Sequence, residues 1–186
     1  MDDQTLSRVV ESDTFLKKLI IGIYSQDRIP SKIPLGKGII INTLNEGQHE
    51  ERDEAGNQLV GHWFCILNLK KSNIYLLDSC LTKLSKLPNV KKMLIRCKKP
   101  IYKFPFKLQD CHNTDVCGSY VLFFIYMASR GFSPPEMLSH FFANGRMTPF
   151  KRDYFISNLI PSLLPAVKTS PLHLLYDRER FSSKNE

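Results

Sequence analysis

The sequence contains no C-x-x-C pair, no apolar run long enough to span a bilayer, no internal repeat and no low-complexity segment. Each absence removes a class of protein. Cys111-His112 alone cannot supply the four donors of a structural zinc site, so no metal module is expected. The five cysteines, at 65, 80, 97, 111 and 117, are odd in number and lack the spacing of a small disulfide framework. Met1-Asp2-Asp3-Gln4 is acidic and does not show the basic-then-apolar order of a secretion signal. A membrane helix needs about 20 consecutive apolar residues, which no window offers. The expectation is a non-membrane, monomeric protein of an intracellular, reducing compartment. A length of 186 residues suits one domain over 1–186, and a 42% hydrophobic fraction can fill its core.

What the chain has in excess is positive charge, a net +8, much of it between Lys91 and Lys107. Lys91, Lys92, Arg96, Lys98 and Lys99 can track a phosphate backbone. A solvated basic face that keeps the protein soluble explains them equally well. Tyr102, Phe104 and Phe106 interleave with further lysines at period two, which suits the buried side of a strand better than a stacking platform.

Residues 5–21 carry apolar positions at helical spacing, as one helix or as two broken near Ser12-Asp13, with Asp13 as a ready N-cap. Pro30, Pro34 and Gly36 make 26–37 an irregular connection, followed by a short buried strand at Ile39-Ile40-Ile41. The polar stretch 45–58 is an exposed loop. Val60–Leu69 and Ile74–Ser79, joined by Lys70-Lys71-Ser72-Asn73, read as a hairpin whose first arm is covered on both faces. A Leu/Lys-rich helix at 81–95 and a strand at 99–108 follow, then a polar loop over 109–116. Gly118–Met127 is almost wholly apolar and ends near Gly131, the pattern of a buried helix. Pro134-Pro135 opens a short helix to about Phe142, a further helix spans 150–164, and the charged tail frays from about 177.

Cys117 stands where the polar loop enters the buried helix, so its sulfur faces the positive end of the helix dipole, which favours the thiolate. Asp115 or Thr114 is the expected N-cap. Gly118 leaves room for a substrate backbone. A lone cysteine in such a run is more often inert core, and a lone histidine more often structural. His62, however, opens the central strand directly after an exposed loop, ahead of Trp63, the only tryptophan. Asp78 ends the second arm. A four-residue loop at 70–73 would set His62 and Asp78 on opposite faces. A three-residue loop or a single bulge makes them diagonal neighbours on one face, roughly 7–8 Å apart at the backbone. That odd register is the expectation, because an imidazole base needs an acceptor on its second nitrogen. Gln109, eight residues before Cys117, can share oxyanion stabilisation with the Cys117 backbone N–H.

Gly61-His62-Trp63, Tyr75-Leu76-Leu77-Asp78-Ser79, Gln109 and Cys117-Gly118 together resemble the adenovirus protease (adenain) and SUMO protease clan. In that clan the order is His, Asp/Glu, Gln, Cys. Ile39-Ile40-Ile41-Asn42-Thr43 is similar to the adenain segment ahead of its histidine, and the likeness covers about residues 15–130. The Gln-to-Cys interval is longer than the clan's usual one, and the acid is Asp, as in SUMO proteases. The resemblance implies an α+β fold, papain-like with permuted catalytic order, in which a small mixed or antiparallel sheet packs on the helix that starts at the nucleophile. It implies an endopeptidase with His62, Asp78, Gln109 and Cys117 as catalytic residues and Trp63 and Gly118 lining a narrow channel. The implied substrates are viral or mobile-element precursors cut after small residues such as Gly, in a virion, host nucleus or viral factory. No cofactor is required, although stimulation by DNA and by an activating peptide, with Cys97 near where such a peptide would couple, is implied as well. Two rivals stand: a SUMO or ubiquitin-like modifier protease of the same clan, and a non-enzymatic basic nucleic-acid-binding protein.

Overall fold

A computed structural model describes residues 1–48, 51, 61–110, 116–142 and 147–167. The chain is α+β. Helices α1 (Asp3–Ser12) and α2 (Thr14–Leu19) precede strands β1 (Ile20–Ser25), β2 (Lys37–Asn42), β3 (Trp63–Asn68) and β4 (Ile74–Leu77). A 3₁₀ turn at Leu84–Lys86, helix α3 (Pro88–Arg96) and strand β5 (Ile101–Lys103) follow. Helices α4 (Cys117–Ser129), α5 (Pro134–Phe142) and α6 (Pro149–Leu163) come next, and a 3₁₀ turn at Pro165–Val167 follows them.

The five strands form one mixed sheet in chain order, with β1 parallel to β2, β3 antiparallel to both neighbours and β4 parallel to β5. Every residue of β3 is buried, because helices cover both faces. On one face Ile40, Cys65, Leu67 and Leu77 meet α1, α2 and α4; on the other Ile39, Ile41, Phe64, Ile66 and Leu76 meet Val90, Met93 and Leu94 of α3. Alternation along each strand therefore feeds two separate apolar layers. At about 25 cal/mol per Å² of apolar surface removed from water, these layers supply the main drive for folding.

The break at Ser12-Asp13 is a helix boundary: the Asp13 carboxylate accepts from the Phe15 and Leu16 N–H groups and starts α2. Expected helical sequence up to 21 is corrected at Ile20, where the chain turns into β1. The β-branched pair Ile20-Ile21 gains a ladder with β2 that a helix end could not offer. The strand expected over 99–108 is shortened to Ile101–Lys103. The helix expected over 81–95 starts only at Pro88. Leu81, at φ 55°, adopts the left-handed region between β4 and the 3₁₀ turn. Most of the loop expected at 45–58, the tail from 177, and Thr114 and Asp115 lie outside the described residues. The N-cap of α4 is Val116, which makes no side-chain capping bond. Among the described residues, no helix is long and apolar enough to cross a membrane.

Candidate active site

The hairpin register decides where His62 and Asp78 meet. Strand β3 pairs Cys65 with Leu77, Ile66 with Leu76 and Leu67 with Tyr75, the odd register expected from the sequence, across a five-residue connection at 69–73. Residue 62, just before β3, and residue 78, just after β4, then share a face. The His62 Nε2 lies 2.6 Å from the Asp78 Oδ1.

Backbone hydrogen bonds hold both residues. The His62 N–H donates to Thr43 Oγ1 at 2.9 Å, and the Thr43 N–H donates to the His62 carbonyl at 3.0 Å. A β-carbon at Gly61 would lie 1.9 Å from Asn42 Oδ1, so any larger residue would displace the Asn42 side chain from its bond with the Leu44 N–H. The Asn42-Thr43 pair thus clamps the histidine from the neighbouring strand end. Asp78 is 3% exposed, and both of its carboxylate oxygens are engaged by backbone donors as well as by His62. Oδ1 also accepts from the Cys80 N–H at 2.8 Å, and Oδ2 from the Thr82 N–H at 2.6 Å. A buried carboxylate satisfied in this way stays ionised.

Cys117 is the first residue of α4, buried beside His62. Burial opposes its ionisation, but the His62 hydrogen bond and charge, with the Trp63 backbone N–H and the chain's amino terminus, outweigh it and hold the thiol below its ordinary range. Burial likewise opposes charge on His62. Hydrogen bonds and charges from Asp78 and Cys117 reverse that and carry it to about 9. For Asp78, burial is overcome by the His62 bond and charge and by the two backbone donors, and its pKa falls. The direction for all three is the same: a carboxylate, an imidazolium and a thiolate in a row. The other free thiols differ. Burial, then the Asp78 charge, pushes the Cys65 thiol up, and burial raises half-buried Cys97 at the end of α3.

Gln109 is drawn to the same turn. Its N–H and that of Leu108 donate to the Ser79 carbonyl at 3.2 and 2.8 Å, and its side-chain Oε1 accepts from Ser79 Oγ at 2.8 Å. Gln109 is itself buried in this turn, 4% exposed. Cys80, 3.6 Å from that oxygen, is disulfide-bonded to a partner outside the described residues. A single disulfide is not the framework that the cysteine spacing argues against, and chain spacing carries no signal for it.

Sequence reading missed the clamp behind this segment. Arg152 of α6 donates to the carbonyls of Leu108 (2.8 Å), Lys107 (3.1 Å) and Met147 (2.7 Å). Its neighbour Asp153, fully buried, accepts from the Asp110 N–H at 3.0 Å and from the Tyr120 hydroxyl of α4 at 2.9 Å. One turn of α6 therefore ties the Gln109 segment to the Cys117 helix. Its only sequence signal was an Arg-Asp pair inside a helical pattern.

The residues of the basic stretch differ in their surroundings. Lys91, Lys92 and Arg96 are exposed on α3, and Lys98 follows it. Lys99 instead ties the hairpin, its Nζ donating to Asn68 Oδ1 at 2.6 Å and to the Lys70 carbonyl at 3.0 Å. No group of three or more potential metal ligands gathers among the described residues. Comparison with known proteins finds no matching family model and no matching curated protein.

Proposed function

We propose that this chain is a cysteine endopeptidase, papain-like with permuted catalytic order and similar to the adenain and SUMO protease clan. One observation carries the reading: the Asp78–His62 bond of 2.6 Å continues to Cys117 at the head of a buried helix, with charges that favour the ion pair. Asp78 occupies Nε2, so Nδ1 is the ring nitrogen that exchanges a proton with Cys117. The thiolate attacks a peptide carbonyl, forming the S–C bond and an oxyanion. The Cys117 backbone N–H, unpaired within a helix's first turn, and the Gln109 amide stabilise that charge. His62 gives its proton to the departing amine as the C–N bond breaks. It then takes a proton from the water that hydrolyses the thioester, and the thiolate is restored.

Precursor proteins cut after small residues such as Gly are the proposed substrates. The test is a peptide ending in Gly-Gly with a thiol-reactive warhead, added to the wild type and to Cys117→Ala and His62→Ala. Stoichiometric labelling at Cys117, lost in Cys117→Ala and slowed about a hundredfold or more in His62→Ala, is expected. Equal, slow labelling of all free thiols would falsify the reading. A matched probe carrying a whole folded modifier separates the modifier-protease rival, which requires that probe to react far faster than the peptide.

A further inference from the structure

Met1 lies between Trp63 and Gly118. The Trp63 indole N–H donates to the Met1 carbonyl at 2.9 Å. The Met1 side chain rests against Gly118: a β-carbon at 118 would lie 2.8 Å from the Met1 Cβ and 3.1 Å from its Sδ. These two contacts come from the residue after the base and the residue after the nucleophile. Behind Met1 the chain is rooted. Asp2 caps α1 by accepting from the Thr5 N–H at 2.6 Å, and Leu6, Val9 and Val10 bury the helix in the core.

On the peptidase reading, a peptide presented to the Cys117 sulfur meets the residues that follow His62 and Cys117 in the chain, Trp63 and Gly118. Both are engaged by residue 1. A free indole donor at a buried wall is costly, so the site calls for a main-chain carbonyl. We propose, on the basis of the peptidase reading above, that Met1 is the resident occupant of the substrate cleft and that substrate enters by displacing it. The incoming ligand is an extended peptide whose own carbonyl takes the Trp63 indole N–H and whose residue over Gly118 is small or unbranched. Displacement breaks one hydrogen bond and uncovers one half-buried side chain, while the Asp2 cap and α1 stay in place. Met1 is thus a local plug, and its occupancy reduces apparent substrate affinity by the fraction of chains in which the cleft is open.

Trp63 is the only tryptophan, so its indole proton gives a single resonance and reports the plug directly. The full chain is compared with a chain that begins at Asp2, released from a cleavable fusion. Without Met1, the indole proton is expected to exchange with solvent faster. The Gly-Gly peptide electrophile is expected to label Cys117 about tenfold faster, while iodoacetamide, too small to need the subsite, changes by less than about twofold. Equal indole exchange and equal peptide labelling in the two chains overturn the proposal. If Cys117 resists both reagents in both chains, the peptidase reading falls instead, and the indole exchange alone still decides whether Met1 fills the cleft.

Discussion

Asp78 determines how far into alkaline solution the His62 imidazolium survives, so its role has a signature in pH as well as in rate. With Asp78 present, His62 keeps its proton up to about 9, and Cys117 ionises below the ordinary thiol value of about 8.5. Peptide hydrolysis is expected to follow a bell whose alkaline limb lies near that histidine value; both limbs belong to the coupled pair. Asp78→Asn removes the largest of the interactions that raise His62. Its alkaline limb moves to lower pH, and the maximum falls about a hundredfold. A pH–rate profile of Cys117 alkylation and of hydrolysis checks this, and an unmoved alkaline limb with an unchanged maximum would sink it. The sign for stability agrees. The raised His62 contributes stability fully present below its unfolded value of about 6.5 and lost as pH climbs through about 9. The depressed Asp78 contributes stability present above about 3.9 and lost in acid. The residues of this row were legible in the sequence because their chemistry constrains them: a base needs an acceptor, and that need selects the hairpin register that the four-residue loop at 70–73 would not have given.

The elements divide by the range of the interactions that define them. Helix α2 and its Asp13 cap, strand β3, and α4 were legible from local pattern, since capping and apolar runs act within a few residues. Strand β1 was not, because its identity depends on a parallel partner across the Pro-rich connection. The clamp of α6 was also hidden, since Arg152 meets Leu108 from 44 positions away. That clamp can be tested. Arg152→Ala leaves buried carbonyls of the Gln109 segment without their charged donor, a loss of about 2–4 kcal/mol. Urea unfolding is expected to show a lowered midpoint with unchanged slope. Below that midpoint, Cys117 should still alkylate as a thiolate, because His62 and Asp78 hang from the sheet. Peptide turnover should fall further than alkylation, since in the proposed mechanism only turnover uses Gln109. Equal loss of both would mean the clamp supports the whole fold and not this segment in particular.

At the scale of the molecule, two surfaces are kept apart by the sheet. Cys117 and α4 belong to one apolar layer, and α3, with its exposed Lys91, Lys92 and Arg96, covers the other. Overall class was legible from composition and alternation. The layering was not, because both layers draw on the same strands and only the register assigns Ile39 and Ile40 to opposite sides. The separation has a functional consequence if the net charge of +8 serves nucleic acid as well as solubility. The α3 face would then bind duplex DNA without regard to sequence, through phosphates, and its affinity would fall steeply with salt. For every phosphate that a variant no longer neutralises, the slope of log affinity against log salt shrinks by about 0.9. A Lys91→Glu, Lys92→Glu, Arg96→Glu triple variant is therefore expected to flatten that slope by about 3 in fluorescence anisotropy with a labelled duplex. Alkylation of Cys117 should be unchanged in the same variant, because the substitutions lie across the sheet from the sulfur. A wild-type affinity that does not respond to salt, or a triple variant with an unaltered slope, assigns the basic face to solvation alone.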